Sequence, residues 1–171
     1  MDAPASTGFA IGVATERDAR ALFALRCRAA ESLTMRHGIG HWSVTGTVRG
    51  IVRGIQGSTT LVARAADEIA GAVTLQSKKP WSIAVDLFTA VDRAVYLVDM
   101  RVDPARQGHG IGRCLVEAAI ARARAMAAAA IRLDAYEGPA GAGAFYRKCG
   151  FTEVGRAVYR TVPLVYFERL L

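Results

Sequence analysis

The residues best suited to chemistry lie in one stretch of the chain, from Val95 to Leu115. An alternating strand leads through Asp103-Pro104 into glycines at 108, 110 and 112, and an apolar helix follows. A strand, a glycine loop and a helix together direct unpaired main-chain N–H groups, and the positive end of the helix dipole, towards an anion. Glycine keeps those amides accessible, and Arg106 and Arg113 add charged donors on either side. The stretch therefore predicts a phosphate-binding loop.

Two common phosphate motifs do not describe this loop. It lacks the Gly-Lys-Ser or Gly-Lys-Thr ending of a P-loop, and it lacks the glycine spacing and acidic partner of the dinucleotide fingerprint. It does resemble the acyl-CoA pyrophosphate loop of the GNAT superfamily of N-acetyltransferases, Gln/Arg-x-x-Gly-x-Gly/Ala, which falls on Gln107, Gly110 and Gly112. The preceding Val-x-Pro strengthens the resemblance, as does the segment 144–151, which is similar to the family's Tyr-x-x-x-Gly-Phe signature.

This resemblance implies a fold and a reaction. The fold is expected to be α/β, with one mixed, mostly antiparallel sheet and helices on both faces, in a single domain over residues 1–171. Residues 1–7 are expected to be a frayed leader. The reaction is expected to be acetyl transfer from acetyl-CoA to a primary amine by direct attack in a ternary complex, without a metal. The implied cofactor-binding residues are Met100, Val102, Gln107, Gly108, His109, Gly110, Ile111, Gly112 and Arg113.

In the family, the strand that carries Met100 and Val102 separates from its neighbour. The separation leaves main-chain groups for the pantetheine arm and for the acetyl oxygen, where one N–H acts as an oxyanion donor. No side chain in this sequence indicates the separation, so the expectation depends on the resemblance alone.

Tyr146 is the candidate general acid. It lies four residues before Gly150, at the position of the family's acid, and a phenol is a suitable proton donor to a departing thiolate. Phe145 and Cys149 are predicted to face the core, which leaves Tyr146 on a different face of its helix. The alternative is a tyrosine that only packs.

Asp99 is the candidate general base. Strand alternation predicts that Leu97, Asp99 and Arg101 share one face of the strand. The carboxylate beside the cofactor either takes the amine proton or binds a cationic substrate. An ion pair with Arg101 or another neighbour is the alternative, and both interpretations stay open. Glu137 is a second candidate.

The family's acceptor pocket lies between the loop joining the first two helices and the closing hairpin. That position implies His41, Trp42 and Tyr159 as substrate-binding residues, with Phe88 as a weaker candidate, although ordinary packing explains each equally well. Their aromatic character favours a small amine or an amino-acid-like acceptor, and a protein amine stays open. Pro139 replaces an asparagine that contacts the cofactor in many relatives, so a non-catalytic CoA-binding or ligand-sensing domain is the alternative function.

The elements that position these residues follow from periodicity and turn signals. The pattern predicts the order β-α-α-β-β-β-α-β-α-β-β, with the glycine loop between the fourth strand and the third helix. The second helix, from about Ser43 to Gln56, contains glycines at 46, 50 and 54, whose spacing predicts close packing against a neighbour. Residues 77–93 match no single element.

Composition argues against several other functions. The chain has 52% hydrophobic and 22% charged residues with a net charge of +7, a globular composition, and no basic run exceeds two residues. A nucleic-acid-binding module is therefore not indicated. No apolar run reaches membrane-spanning length, and no secretory signal is evident, which predicts a cytoplasmic location. The cysteines are widely spaced and His37 and His41 lack a third ligand, so no metal is expected. Homodimers occur in the family, but no residue here indicates one.

Overall fold

Seven strands and four α-helices alternate along residues 8–171, the part of the chain that this computed structural model describes. In chain order they are β1 (Ala10–Val13), α1 (Ala19–His37), α2 (Val48–Gly57), β2 (Thr59–Ala65), β3 (Glu68–Gln76), β4 (Ala94–Val102), α3 (Ile111–Ala125), β5 (Ala130–Tyr136), α4 (Gly143–Lys148), β6 (Thr152–Tyr159) and β7 (Val162–Leu170). The predicted order is confirmed. Residues 1–7, predicted to be a frayed leader, lie outside the described residues.

One sheet holds all seven strands, in the spatial order β1-β2-β3-β4-β5-β7-β6. Neighbouring strands are antiparallel except for β4 and β5. α1 and α2 cover one face through Leu22, Leu25 and Ile51, whereas α3 packs on the other through Leu115 and Val116. The prediction of a mixed, mostly antiparallel sheet with helices on both faces is therefore confirmed. No helix within residues 8–171 has the length and apolar character needed to cross a membrane.

The two parallel strands separate soon after they meet. β4 and β5 pair at three positions, Ala94 with Ala130, Val95 with Ile131 and Tyr96 with Arg132. Beyond these positions β4 continues to Val102 and β5 to Tyr136 without pairing to each other. Main-chain groups on both strands therefore border an open gap, as the resemblance implied.

A β-bulge in β4 interrupts the alternation predicted for that strand. The register between β3 and β4 shifts between Ala72 and Thr74, and Asp99 at the bulge has a φ of 55°. Leu97 consequently packs in the same buried cluster as Met100, although strict alternation assigns Leu97 to the face of Asp99. That prediction was wrong because one inserted residue exchanges the two faces for every residue after it.

α2 begins later than predicted, and its glycines face open space. A 3-10 turn at His41–Ser43 precedes the helix, and Thr47 caps it by accepting a hydrogen bond from the Gly50 N–H at 3.1 Å. A Cβ placed on Gly54 would meet no atom within 4 Å, and one placed on Gly50 would meet only Thr47. The predicted close packing of these glycines was wrong, because a small cavity lies beside them.

A buried ion pair holds the long connection between β3 and β4, residues 77–93, against the sheet. Arg132 Nε lies 3.1 Å from Glu168 Oε1, and both side chains are almost fully buried. The same pair binds the main chain of Thr89. Arg132 donates a hydrogen bond to the Thr89 carbonyl oxygen at 2.6 Å, and the Thr89 N–H donates one to Glu168 at 3.2 Å. The Phe88 ring packs 5.0 Å from the Arg132 guanidinium. These contacts fix the course of a segment that matched no predicted element.

Candidate functional site

The gap between β4 and β5 opens into a cleft of about 450 Å³. Its walls come from the unpaired ends of the two strands, from α1, from the connection at Pro80 and Ser82, and from α4 with the loop before it. The cleft therefore gathers segments that are distant in sequence. Polar side chains that line it include Ser82, Asp99, Arg101, Gln107, Asp134, Tyr136 and Tyr146.

The glycine loop after β4 presents free main-chain N–H groups. Gly108 and Gly110 have φ values of 83° and 80°, a backbone conformation that residues with a Cβ rarely adopt. Within the described residues, the N–H groups of residues 107–113 donate to no protein acceptor. Ile111 begins α3, so the positive end of the helix dipole adds to these donors. The loop can therefore receive an anion with its main chain.

The side chains of the loop point in different directions. Gln107 lines the cleft, and its Nε2 lies 3.4 Å from the Val102 carbonyl oxygen. His109 is exposed and folds back over the loop, with Nδ1 3.0 Å from the Gln107 carbonyl oxygen. Arg113 borders a separate groove beside Arg169. Among these side chains, Gln107 is the one that reaches the cleft.

Two glycines let α3 approach its neighbours closely, which fixes the position of the loop. A Cβ on Gly112 would lie 3.1 Å from the Phe145 ring of α4. A Cβ on Gly71 of β3 would lie 2.9 Å from Ile111 Cγ2, in the first turn of α3. A side chain at Gly112 would therefore crowd Phe145, so this glycine favours close helix packing in addition to its place in the loop motif.

Tyr146 reaches the cleft from a packed aromatic environment. Its ring centre lies 5.2–6.0 Å from those of Phe145, Phe151 and Phe167, and 5% of the residue is exposed. The hydroxyl has no hydrogen-bond partner in the described residues. Every fully buried side-chain N or O atom in those residues does have a partner, so the Tyr146 hydroxyl is not fully buried. The hydroxyl therefore opens on the cleft that Tyr146 lines.

Burial, and then the negative charge of Asp134, raises the pKa of Tyr146 above its usual value. The phenol is consequently protonated at neutral pH and available as a hydrogen-bond donor. The prediction that Phe145 and Cys149 face the core and Tyr146 does not was right for Cys149, which is buried, and wrong for Tyr146, which is buried as well. α4 turns the tyrosine towards Phe151 and Phe167, and Phe145 is only half-buried.

Asp99 is held by two arginines at the bulge of β4. Its Oδ2 lies 2.5 Å from Arg26 Nη2, and its Oδ1 lies 2.9 Å from Arg101 Nη1. The ion-pair interpretation therefore describes this carboxylate, since both of its oxygens are engaged by cations. Glu137 is exposed, pairs with Arg156 at 2.5 Å and does not line the cleft.

Asp134 is a cleft carboxylate that the sequence reasoning missed. It lies near the end of β5, across the gap from β4, and Ser82 Oγ donates to its Oδ1 at 3.2 Å. Within residues 8–171 it forms no ion pair. Burial raises the pKa of Asp134, and the Ser82 hydrogen bond opposes that effect. The available signal was one acidic residue in a short strand after α3, and nothing in the sequence showed that this strand borders a gap.

The structure brings one of the predicted acceptor residues to the cleft. Trp42 lines it and packs edge-on against Tyr136, with ring centres 5.3 Å apart. His41 is exposed and Tyr159 is half-buried on β6, and neither lines the cleft. Phe88 is a core residue that stacks on Tyr166 at 5.5 Å.

Pro139 and the cysteines can also be located relative to the cleft. Pro139 does not line the cleft, although Ala140 and Ala142 in the same loop do. Within the described chain, no group of three His, Cys, Asp or Glu side chains is arranged to hold a metal ion, and Cys27, Cys114 and Cys149 are free thiols.

The chain is similar to known proteins in both sequence and fold. A family model described as "Acetyltransferase (GNAT) family" matches residues 19–151. No protein with a curated description matches the chain in sequence.

Three solved structures with similar folds are acetyltransferases. The ribosomal-protein-alanine N-acetyltransferase of Brucella melitensis has a TM-score of 0.74 and 24% identity, over 95% of this chain and 99% of that one. A GNAT-family acetyltransferase of Streptococcus pneumoniae has a TM-score of 0.73 and 19% identity, with the same coverage. The PaiA N-acetyltransferase of Thermoplasma acidophilum, solved in complex with coenzyme A, has a TM-score of 0.72 and 15% identity, again over 95% and 99% of the two chains. At these identities the likeness shows a shared fold.

Proposed function

Because the chain belongs to the acetyltransferase (GNAT) family, we propose that it transfers an acetyl group from acetyl-CoA to a primary amine. The amine attacks the thioester directly, in a ternary complex formed in the cleft. The observation that carries this proposal is the gap between β4 and β5, which opens into a cleft lined by Gln107, at the start of the glycine loop, and by Tyr146. A cytoplasmic location stays a prediction from the sequence.

The main chain holds the co-substrate. The N–H groups of residues 107–113 bind the pyrophosphate, with the dipole of α3 adding to their effect. The unpaired edge of β4 hydrogen-bonds the pantetheine arm, and an N–H between Met100 and Val102 stabilises the oxygen of the tetrahedral intermediate. Residues of this chain thereby orient the thioester without a metal.

Asp134 and Tyr146 move the protons. Asp134 takes a proton from the acceptor ammonium, since it is the cleft carboxylate that no arginine occupies. The free amine then attacks the thioester carbonyl and the C–S bond breaks. Tyr146 hydrogen-bonds the departing sulfur and donates a proton to it, and the amide nitrogen returns one. The raised pKa of Tyr146 limits how far it acts as an acid, which makes hydrogen bonding its larger contribution.

A small amine or an amino-acid-like molecule is the proposed acceptor. Trp42 and Tyr136 form an aromatic wall beside Asp134, a surface that suits the carbon atoms of such a molecule. The fold likeness to a ribosomal-protein-alanine N-acetyltransferase makes a protein N-terminus the second acceptor class to test.

Thiol release from acetyl-CoA across a panel of amines tests this function directly. We expect acceptor-dependent release of CoA, and calorimetric binding of acetyl-CoA without any acceptor. Binding without release from any amine or peptide N-terminus would favour the non-catalytic CoA-binding alternative.

Gly110→Ala is expected to weaken CoA binding about tenfold, a loss of about 1.4 kcal/mol. Gly110 has a φ of 80°, so a Cβ strains the turn and displaces the amides that face the phosphate. Titration calorimetry with CoA measures the change. Gly138→Ala is the matched control, because Gly138 has a φ of 95° but lies outside the loop. Equal CoA affinities in the two variants would contradict the role of the loop.

Tyr146→Phe is expected to leave the Kd for CoA unchanged and to lower kcat by about tenfold or more. The thiolate is a fair leaving group, which keeps the effect below that of removing the base. The ring packing against Phe151 and Phe167 is retained, so the folded structure is preserved. An unchanged kcat under conditions where chemistry limits the rate removes Tyr146 from the mechanism.

A further inference from the structure

A second, smaller cavity of about 120 Å³ lies next to the cleft, between the sheet, α1 and α2. Val98, Asp99 and Arg101 line both this cavity and the cleft, so the two spaces meet at the bulge of β4. A molecule whose amine lies in the cleft therefore has room for its remaining atoms in this neighbouring cavity.

The cavity has a mixed lining of aliphatic and polar residues, and it carries a positive charge. Its titratable lining side chains are Arg26, Arg101 and Asp99, which leaves one positive charge in excess. Arg26 is half-buried, and burial lowers the pKa of its guanidinium. A guanidinium has five N–H donors, and Asp99 takes only part of those on each arginine. The remaining donors suit a second carboxylate.

The rest of the wall supplies hydrogen-bonding groups and space. The hydroxyls of Thr60 and Thr74 lie 2.9 Å apart, and the Gln76 side chain completes that side. On α2, Gly50 and Gly54 line the cavity, and the absence of side chains at these positions keeps it open. Gly50 and Gly54 lie inside a helix of ten residues and lower its stability. The cavity gives a reason for glycine at these two positions.

We propose that this cavity binds an anionic group of the acceptor, and that the substrate is a small amine that also carries a carboxylate. Arg101 contacts that carboxylate at the junction of the two spaces, and Arg26 adds a second positive charge to the cavity wall. This inference rests on the proposed acetyl transfer and specifies its substrate class.

The first test compares each standard L-amino acid with its α-amide as the acceptor. The amide keeps the amine and the side chain but lacks the carboxylate. We expect kcat/KM to favour at least one acid over its amide by about tenfold or more, the range of a buried charged hydrogen bond. Arg101→Met is expected to abolish that preference, whereas Arg101→Lys is expected to keep part of it. Amides that react as well as acids, or a preference that survives in Arg101→Met, would overturn the inference.

Gly54→Leu supplies a test in which the variant is expected to fold well. Leucine is the better helix former, and a Cβ at this position would meet no atom within 4 Å, so the variant is expected to be at least as stable as the wild type. The side chain fills the mouth of the cavity, and we expect the KM for the preferred acid to rise about tenfold while CoA affinity stays unchanged. Gly57→Leu, at the end of α2 and not among the residues that line the cavity, is the matched control. Equal KM values in the two variants would contradict the assignment.

Binding measurements separate this inference from the proposed reaction. If no amine is acetylated, the proposed function fails, and calorimetry of the amino acids and their amides with CoA-saturated protein still decides the inference. Tighter binding of an acid than of its amide, lost in Arg101→Met, supports the cavity as an anion site. Equal binding of acid and amide refutes it.

Discussion

Asp134→Asn is expected to lower kcat by about 10²- to 10⁴-fold, the range of a positioned general base. The amide cannot take the proton that the acceptor ammonium must lose, while it can still accept the hydrogen bond from Ser82. The affinity for CoA is expected to be unchanged, because Asp134 lies across the gap from the glycine loop. Steady-state kinetics with the preferred acceptor, together with calorimetric titration of CoA, measure both quantities.

The pH profile distinguishes a proton acceptor from a residue that only shapes the cleft. Burial raises the pKa of Asp134, so the base becomes active as the pH rises through a value above the usual range for aspartate. The wild-type profile of kcat/KM should therefore have an acidic limb that Asp134→Asn removes. A variant that keeps both the wild-type rate and the acidic limb would exclude Asp134 as the base.

Stability should not explain the loss of activity in this variant. A carboxyl whose pKa rises on folding destabilises the folded state at any pH above its unfolded pKa, and the cost disappears below that pH. The neutral asparagine avoids this cost, so the free energy of unfolding is expected to be equal or slightly higher at neutral pH. Asp67→Asn, in the exposed turn between β2 and β3, is the matched control for the chemical change.

Glu168→Ala is expected to lower the free energy of unfolding by about 3–5 kcal/mol, because it leaves Arg132 charged and unpaired in the core. The N–H of Thr89 loses its acceptor as well. Chemical denaturation followed by circular dichroism measures the change. Activity should fall with stability, since the loosened connection carries Ser82, which positions Asp134.

Two further variants make this expectation specific to an unpaired buried charge. Glu137→Ala removes an exposed ion pair with Arg156 and should leave the free energy of unfolding nearly unchanged. The double variant Arg132→Met, Glu168→Leu removes both buried charges and should recover most of the lost stability. A double variant as unstable as Glu168→Ala would show that volume and packing, rather than charge, dominate at this position.

The sequence was informative where local chemistry determines structure. The element order follows from periodicity and turn residues, and the glycine loop is recognisable because φ values such as that of Gly110 favour glycine. The signature around Tyr146 is local, a short helix followed by Gly150, and the tyrosine that it marks does line the cleft.

The features that the sequence did not reveal depend on contacts between distant segments. The bulge at Asp99 changes the faces of β4 without any glycine or proline to mark it. Asp134 becomes a candidate base only because β5 diverges from β4. The residue types of the two strands do not indicate this divergence. The glycines of α2 have the spacing of a packing surface, and only the surrounding elements show that they border a cavity.

The brief parallel contact between β4 and β5 also has a thermodynamic consequence. Within residues 8–171, strand pairing between the two antiparallel subsheets, one of four strands and one of three, is limited to three positions. A ligand lying in the gap would act as an additional strand that bridges them, so its binding energy would add to the cohesion of the whole sheet. Saturating coenzyme A should then slow hydrogen exchange at the inner edges of both subsheets, including amides that the ligand never touches.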